Sequence, residues 1–572
     1  MNDLDYELVI QNGRVVDGTG NSWYRADLGI ADGRIRKISR VSLTDAERVI
    51  DVGGMVVAPG FINIHSHSDG TILTQNNAEN CVAMGLVTEL VGSCGASSAP
   101  INEAYRDALN EQRSATAWGF WEEVDWLTLA DWAAKVEERG AGVNLAPLVG
   151  HGTVRACVMG EEGSGGERVQ PTDGEMEEMR GMVGSAMSDG AFGLSTGLTY
   201  APGRNALTEE IVKLVEVAAE HGGVYTSHMR NEGDKLIEAT KEFIEICERT
   251  GARGTISHHK ASGPSNFGKV HQTLRLVEAA RRRSVDVIVD MYPWRIGGLT
   301  KSLGGRFRGE LPDGSSISTR KELLVGLRDP ERWAQIKAAA LAKLEKARES
   351  YEDRRRRLEE KGGWTPEIST TPSGVVLHSP SHAELEWSTF QEMTEAQGEE
   401  DVLEGIRALL ISDEGFTVSG NVPYSEEDVE SIIEYPWTTF ITDQRAIDNS
   451  KYTRRMAADA LAMEHPRGWG TYPRVLGRYV RERGVLRLED AIRRMTSLPA
   501  AFLGLSGRGL VKQGFWADLV VFDHATVGNR ATYADPFQFP EGIPFVLVNG
   551  RLAVDGGVPT GVLAGKVLRH TA

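Results

Sequence analysis

Eight short apolar runs, each ending in small or polar residues, recur along the middle of this 572-residue chain. Helix-like stretches such as EEIVKLVEVAAEHG and HQTLRLVEAARRRS separate several of them. Strand-then-helix repetition is typical of a parallel sheet, and eight such strands predict a closed (β/α)8 barrel of the α/β class. The runs are GFINIHSH, LVTELVGSCG, VNLAPLVGHG, GAFGLSTG, GVYTSHMR, GTISHHK, VDVIVDMYPW and WTTFITD.

The two ends of the chain show a different pattern, in which short apolar runs alternate with turn signals. Asn-Gly and Asp-Gly pairs within residues 1–58 mark hairpins, and the same pattern returns after residue 505 in QGFWADLVVFD and FVLVNGRLAVDG. We therefore predict a small β-domain formed by residues 1–58 together with 505–572. The intervening residues 59–504 would form a barrel domain.

The interval between the seventh and eighth strands is unusually long for a barrel connection. Residues 301–435 include a charged stretch, DPERWAQIKAAALAKLEKARESYEDRRRRLEEKGG, which predicts a largely helical insertion. One interpretation is a solvated surface helix, and the other is a lid over the barrel mouth. A helix can be solvated outside and cover the mouth inside, so the two are compatible.

Composition restricts the partners. The chain has 63 basic and 81 acidic residues, a net charge of −18, which argues against nucleic acid or an anionic membrane surface. No signal peptide and no apolar segment of about 18 residues is evident. Four cysteines are too few for a disulfide scaffold, which favours a cytoplasmic protein.

Ligating side chains follow five of the predicted strands. Because barrel enzymes place their sites at the C-terminal ends of the strands, we expect these side chains to converge on one mouth. Each of these residues alone is common in proteins without a metal. To explain the whole set without a metal would require separate coincidences at five strand ends. Imidazole, thiolate and carboxylate together favour Zn²⁺, or another divalent cation. The candidates are His65, His67, Cys94, His228, His258 or His259, and Asp443.

The chain resembles the amidohydrolase superfamily, specifically its D-aminoacylase (N-acyl-D-amino-acid deacylase) branch. The resemblance runs almost from end to end and implies a TIM barrel carrying a β-sandwich made from both chain ends. It also implies one or two zinc ions. The motifs that carry it are APGFINIHSHSD, GSCGASSAP, LVGHGTVR, GLSTGLTYAPG, YTSHMRNEGD, ISHHKASG, DMYPW, FITD, HPRGWGTYPR, GFWADLVVFD and LVNGRLAVDGG.

The resemblance also implies how the ligands are divided. Cys94 matches a cysteine that can bridge two metals, and with His228 and His258 it would form the tight site. His65, His67 and Asp443 would complete a weaker second site. His259 is the alternative to His258.

The reaction implied is zinc-dependent hydrolysis of a linear amide, the deacylation of an N-acyl (D-)amino acid or related compound. Asp443 would act as general base towards water and then as general acid towards the departing amine. The partner is thus a small-molecule amide that carries a carboxylate, and a homo-oligomer is left open.

Five residues are candidates for contact with the substrate. Lys260 and Tyr292 lie on family motifs and are expected to meet its carboxylate, with Arg230 and Arg295 as further basic candidates. Tyr200 could line the acyl side. The alternatives are an internal salt bridge with Glu232 or a neighbour for Arg230 and a packed position at the rim for Tyr200.

Two departures from the family pattern predict a changed pocket. Gly298 stands where the branch usually has a hydroxyl residue, and Gln444 follows the catalytic aspartate where glycine is usual. They leave open an amidase or peptidase for a bulkier xenobiotic or natural-product amide. A cyclic amidase of the hydantoinase or dihydroorotase kind is a further alternative, against which Cys94 argues. The intact ligand set argues against a metal-free scaffold. His151 is interpreted as a residue that supports the ligands or the structure rather than as a ligand itself.

Overall fold

The computed structural model describes most of the chain. Gly298, on which one predicted departure from the family depends, lies outside the described residues. These residues are 5–115, 123–165, 168–297, 301–307, 309–364, 374–421, 423–451 and 464–571.

Parallel strands fill the middle of the molecule, and they correspond to the eight apolar runs of the sequence. The run VNLAPLVGHG forms two short strands separated at Leu148. Most of their residues are fully buried because helices cover the sheets, as continuous apolar runs predict. The strands are Phe61–Asn63, Leu86–Val91, Asn144–Pro147, Val149–Gly150, Gly193–Gly197, Val224–His228, Arg253–Ile256, Val287–Met291 and Thr438–Phe440.

These strands pair in chain order. The first three form one parallel sheet and the other six form a second. A parallel bridge between Ser66 and Gln444 links the ends of the first and last strands. There the amide of Asp443 donates to the carbonyl of His65 over 3.1 Å, and the amide of His67 donates to that of Gln444 over 2.9 Å. Side chains that follow the first and last strands therefore become neighbours.

Both ends of the chain build one nine-stranded sheet. Its buried face is aliphatic, with Leu28, Ile30, Val57, Leu519 and Leu547 all fully buried. The strands are Tyr6–Val15, Tyr24–Ala31, Arg34–Ser39, Ala46–Asp51, Val56–Pro59, Leu519–Phe522, Phe545–Val548, Arg551–Asp555 and Val558–Pro559.

Helices follow most of the parallel strands, and local capping sets several of their starts. Thr172 caps Asp173–Ser188 in a reciprocal box with Glu175, which satisfies amide donors that the first turn leaves free. Among the described residues, no helix is both long enough and apolar enough to span a bilayer. The α-helices outside residues 301–435 are Glu79–Ala83, Glu103–Ala115, Leu129–Arg139, His151–Gly165, Asp173–Ser188, Thr208–Glu220, Leu236–Thr250, Val270–Arg282, Arg467–Arg474, Leu488–Met495 and Ser497–Leu503.

The insertion at residues 301–435, between the last two parallel strands, is called the excursion below. It has an apolar core of its own. Phe307, Trp333, Ile336, Phe390 and Leu410 are buried together there. The excursion contains both helices and short strands. Its elements are the strands Lys301–Ser302, Gly309–Glu310, Ser316–Ile317, Val375–His378 and Val418–Gly420, and the helices Arg320–Arg328, Pro330–Glu359, Phe390–Ala396, Val402–Ser412 and Glu426–Glu434.

Candidate metal centre

Side chains from five parallel strands meet at one end of the sheets, around the thiol of Cys94. The Cys94 Sγ lies 3.3 Å from His65 Nε2, 3.6 Å from His258 Nε2 and 3.9 Å from His228 Nδ1. Burial opposes ionisation of this thiol, but the imidazoles, His65 foremost, hold its pKa well below the usual value. The site therefore favours a thiolate at neutral pH.

Asp443 faces this cluster from the end of the last strand. Its Oδ1 lies 3.4 Å from His65 Nε2 and 3.2 Å from His67 Nε2. Its Oδ2 lies 3.0 Å from Nη2 of Arg467, a residue that is only 3% exposed. Burial opposes ionisation, yet the Arg467 charge and the two imidazoles hold the pKa of Asp443 well below its usual range. The carboxyl group is therefore ionised at neutral pH.

Backbone strain is concentrated at these ligating residues. Cys94, His258 and Asp443 have φ angles of 54°, 35° and 47°, in the left-handed region that side chains with a Cβ seldom adopt. Each such conformation costs roughly 1–2 kcal/mol. The surrounding structure holds three of them at one mouth, as is typical of functional sites.

The donor atoms fall into two overlapping groups. Atoms within each group lie within 4.8 Å of one another, and Cys94 belongs to both. Sulfur, imidazole nitrogen and carboxylate oxygen are the ligands that Zn²⁺ prefers, so the donor set fits zinc. The first donor group is Cys94, His228 and His258, and the second donor group is His65, His67, Cys94 and Asp443.

Glu232 supports the first donor group from behind. Its Oε1 lies 2.9 Å from His258 Nδ1, and its Oε2 lies 3.7 Å from His228 Nε2. Burial opposes its ionisation, but Lys260, whose Nζ lies 2.5 Å from Oε1, keeps the pKa of Glu232 well below its usual value. The short contact with His258 Nδ1 favours the tautomer that presents Nε2 of His258 to a metal, while the longer contact places a negative charge beside His228.

Asp290 occupies a similar position behind His65, with its Oδ2 3.8 Å from His65 Nδ1. Glu232, Asp290 and Arg467 were not predicted from the sequence. All three lie inside quoted motifs, so the signal was present, but their partners are distant in the chain.

The structure brings three of the predicted substrate residues to the mouth. Lys260, Tyr292 and Tyr200 line one cavity with the ligating residues. The Tyr200 hydroxyl lies 3.2 Å from His228 Nδ1, and the Tyr292 hydroxyl lies 3.3 Å from that of Tyr424. Lys260 is held by Glu232, so its charge is already balanced in part.

The other two predicted basic residues lie elsewhere. Arg230 is 3% exposed and forms an internal salt bridge, but its partner at 2.9 Å is Glu242 rather than Glu232. Arg295 donates to the carbonyl of Tyr424 and stacks over Trp387. Neither guanidinium lines the cavity that contains the donor groups.

Two further histidines, His259 and His151, do not join the donor atoms around Cys94. His259 turns away from Cys94, and its Nε2 lies 2.7 Å from the hydroxyl of Thr273. Burial, reinforced by the Lys260 charge, lowers the pKa of His259 to about 3. His151 Nε2 lies 2.8 Å from a Glu210 carboxylate oxygen, away from the cluster.

The excursion forms part of the cavity wall. The cavity has a volume of about 1030 Å³, at the upper end of the usual range for small-molecule sites. Gln444, the second predicted departure from the family, also faces it and donates to Glu464 over 2.9 Å. The excursion contributes Gly305, Arg306, Ser419, Gly420, Asn421 and Tyr424.

The chain is similar along almost its whole length to known deacylases. The chain is 32% identical to D-aminoacylase of Alcaligenes xylosoxydans xylosoxydans over 99% of its length and 98% of that protein. It is 33% identical to N-acyl-D-glutamate deacylase of the same organism, with 99% and 97% covered. A structure of N-acyl-D-glutamate deacylase from Bordetella bronchiseptica, complexed with zinc and a phosphonate inhibitor, matches with a TM-score of 0.70 at 30% identity, covering 99% of each chain.

The amidohydrolase family itself matches residues 48–299 and 429–554, which are the segments on either side of most of the excursion. The resemblance predicted from the motifs is thereby confirmed. The chain belongs to the amidohydrolase family, in the branch that contains D-aminoacylase and the N-acyl-D-amino-acid deacylases.

Proposed function

We propose that this chain hydrolyses the amide bond of N-acyl-D-amino acids with zinc as its cofactor. The observation that carries the proposal is the thiolate of Cys94, shared by two donor groups at the mouth. The chain is also similar along its whole length to deacylases of this substrate class.

Each of the two donor groups would hold one metal ion, and Cys94 is a potential ligand in both. Zinc, when bound, supplies Lewis acidity that polarises an amide carbonyl and makes water a stronger acid. The negative charges of Cys94 and Asp443 and the buried imidazoles complement a divalent cation.

Asp443 would move the proton. Because its carboxylate is ionised at neutral pH, it can accept a proton from the attacking water at Oδ1 or Oδ2. Arg467 holds the group in place through Oδ2 and through the main-chain carbonyl of Asp443. Once protonated, such a low-pKa carboxyl is a strong donor, which suits return of the proton to the departing amine.

Residues around the mouth would orient the substrate. Lys260 and Tyr292 lie on the side of His258 and would meet the substrate carboxylate, while Tyr200 lies beside His228 and would contact the acyl group. Desolvation by burial holds the pKa of Tyr292 well above its usual value, so its hydroxyl remains a hydrogen-bond donor.

We also infer the architecture around this site. The parallel strands, linked by the bridge between Ser66 and Gln444, support a closed (β/α)8 barrel within residues 59–504. The nine-stranded sheet supports a β-sandwich domain from residues 1–58 and 505–572. Residues 301–435 would form the insertion that closes one side of the mouth.

A bulkier amide is the second candidate substrate. The volume of about 1030 Å³ leaves room for more than a simple N-acetyl amino acid. Cyclic amides are less favoured, because the cyclic amidases usually bridge their metals with a carboxylated lysine, and here Cys94 takes that position.

A hydrolysis screen of zinc-loaded protein tests the proposal. N-acetyl-D-amino acids, their L enantiomers, N-acyl-D-amino acids with large acyl groups and a hydantoin would be compared by kcat/KM. We expect the D compounds to be preferred. Preference for the large acyl groups would support the second candidate, and preference for L compounds or for the hydantoin would overturn the proposal.

A further inference from the structure

Glu89 is a fully buried carboxylate that has no role in the reaction described above. It lies on the second parallel strand, Leu86–Val91, and is the register partner of Asn63 on the first. Its Oε1 accepts from Nδ2 of Asn63 over 3.0 Å, and its Oε2 accepts from the hydroxyl of Ser68 over 2.6 Å. Burial raises the pKa of Glu89, and donation from Ser68 and Asn63 opposes that change. A buried carboxylate is costly without such donors, so the two contacts stabilise it there.

Asn63 joins the first parallel strand to the last one through its side-chain amide. Its Oδ1 accepts from the main-chain amides of His65 and Thr442, each over 3.2 Å. Its Nδ2 donates to Glu89 over 3.0 Å and to the hydroxyl of Thr442 over 2.8 Å. Because main-chain amides only donate, they fix which end of the Asn63 amide faces them, and Glu89 must be an acceptor.

Ser68 connects Glu89 to the loop that follows the last parallel strand. Its Oγ accepts from the amide of Ala446 over 2.8 Å and from the hydroxyl of Ser66 over 2.9 Å. Both acceptor positions of the hydroxyl are therefore used, and its own proton goes to Glu89. Glu89 thus accepts from each of two side chains that reach the last strand and its loop.

Asp443 lies between the two positions that these side chains hold. Thr442 precedes it directly, and Ala446 follows three residues later. Its φ of 47° is in the left-handed region, and such a conformation persists only where the surroundings restrain it. Glu89 restrains both sides of Asp443, each through one intervening side chain, and does not itself line the cavity.

We propose that Glu89 is a positioning residue, which through Asn63 and Ser68 holds Asp443 and His65 where the second donor group needs them. His65 and Asp443 belong to that group and not to the first. Loosening the network around Glu89 should therefore affect the second donor group and spare the first. The expected effect on turnover rests on the proposed function, whereas the expected effect on metal binding does not.

An exchange of polarity between positions 63 and 89 isolates this role. In Glu89→Gln the new amide faces the amide of Asn63, so two donors oppose each other, and in Asn63→Asp two carboxylates do. In N63D/E89Q the carboxylate at position 63 accepts from the amide at position 89. The amides of His65 and Thr442 keep their acceptor, and the hydroxyl of Thr442 can turn to donate.

Titration of the zinc-loaded full chain with a competing chelator measures how tightly each of the two ions is held. The kcat and KM for an N-acetyl-D-amino acid, and the Tm, are measured on the same proteins. Asp27→Asn is the matched control, because Asp27 is also a buried carboxylate, but it accepts from the amides of Asn12 and Leu43 in the terminal sheet. That variant should lose stability and keep both zinc affinities.

We expect E89Q and N63D each to lower the affinity for the more weakly held ion about tenfold or more, and kcat by a similar factor. The affinity for the tighter ion and KM should stay near the parent values. N63D/E89Q should regain both the second ion and the turnover. A merely structural role would instead lower the Tm without separating the two ions, as expected for D27N.

Parent-like affinity for both ions in E89Q would overturn the proposal, and so would a double variant that binds the second ion no better than E89Q. If E89Q does not fold, N63D/E89Q still decides the question, since it must fold and hold the second ion as the parent does. A parent protein that hydrolyses no N-acyl-D-amino acid would refute the proposed function instead, and the chelator titration would still decide the role of Glu89.

Discussion

The two donor groups share Cys94 but differ in what surrounds them. In the first, His228 and His258 are only 6% and 3% exposed, and Glu232 backs both imidazoles. In the second, His65 and Asp443 are also buried but the His67 side chain is 36% exposed, and both groups border the same cavity. Closed donor sets with supporting carboxylates are typical of tight metal binding, whereas an open set leaves room for chemistry. The difference supports our proposal that the first group would hold its ion more tightly, while the second would hold a further ion and supply the proton-transferring Asp443.

Replacing the shared ligand should have the largest effect. Cys94→Ala removes a donor from both groups, so we expect loss of bound zinc at both and no measurable turnover. Metal analysis and kcat measure this. Cys157→Ala is the matched control, because that half-buried thiol lies in neither donor group, and it should retain metal and activity. Equal metal content in both variants would contradict the account.

The Asp443→Asn substitution should impair the second donor group and leave the first intact. The variant keeps the size of the side chain but loses the proton acceptor, so kcat should fall roughly 10²–10⁴-fold, the usual contribution of a general acid–base residue. Zinc in the first donor group should remain, since Asp443 does not belong to it. Turnover near the parent value would exclude the proposed role of Asp443.

The contrast between the groups also shows what a sequence can predict. His65, His67 and Cys94 lie shortly after the ends of two strands, and the rule that barrel sites form at C-terminal strand ends is enough to predict them at one mouth. The strand-and-helix order likewise follows from apolar periodicity. These signals are local, so they can be interpreted without knowing the packing.

The supporting residues depend on contacts between distant segments. Glu232 meets a histidine 26 residues later, and Arg467 meets an aspartate 24 residues earlier. Arg230 carries the right charge in the right motif, yet packing directs it to Glu242. The strands within the excursion were missed because each spans only two to four residues, too few to show a period.

Removing the carboxylate behind the first group should have an intermediate effect. Glu232→Gln keeps the shape but weakens the hold on the His258 tautomer and removes the negative charge beside His228, so zinc affinity should fall roughly 10–100-fold. Titration with a competing chelator measures this. Glu238→Gln, an exposed neighbour, serves as the control, and equal affinities in the two variants would refute a supporting role for Glu232.

The smallest expected effect is a shift in the pH dependence of kcat/KM. After the opposing effect of burial, Arg467 is the main cause of the low pKa of Asp443. Arg467→Gln should raise that pKa, and because the active form is the carboxylate, the acid limb of kcat/KM should move to higher pH. Arg467→Lys retains the charge and should keep the limb nearer its original position. Identical limbs in the parent and R467Q would contradict this assignment.

The central claim, that one thiolate serves both donor groups, is tested most directly by X-ray absorption at the zinc edge. With zinc bound, the account predicts a sulfur scatterer at about 2.3 Å, the usual Zn–S distance, at one sulfur per ion when both groups are filled. A spectrum fitted by nitrogen and oxygen scatterers alone would contradict it.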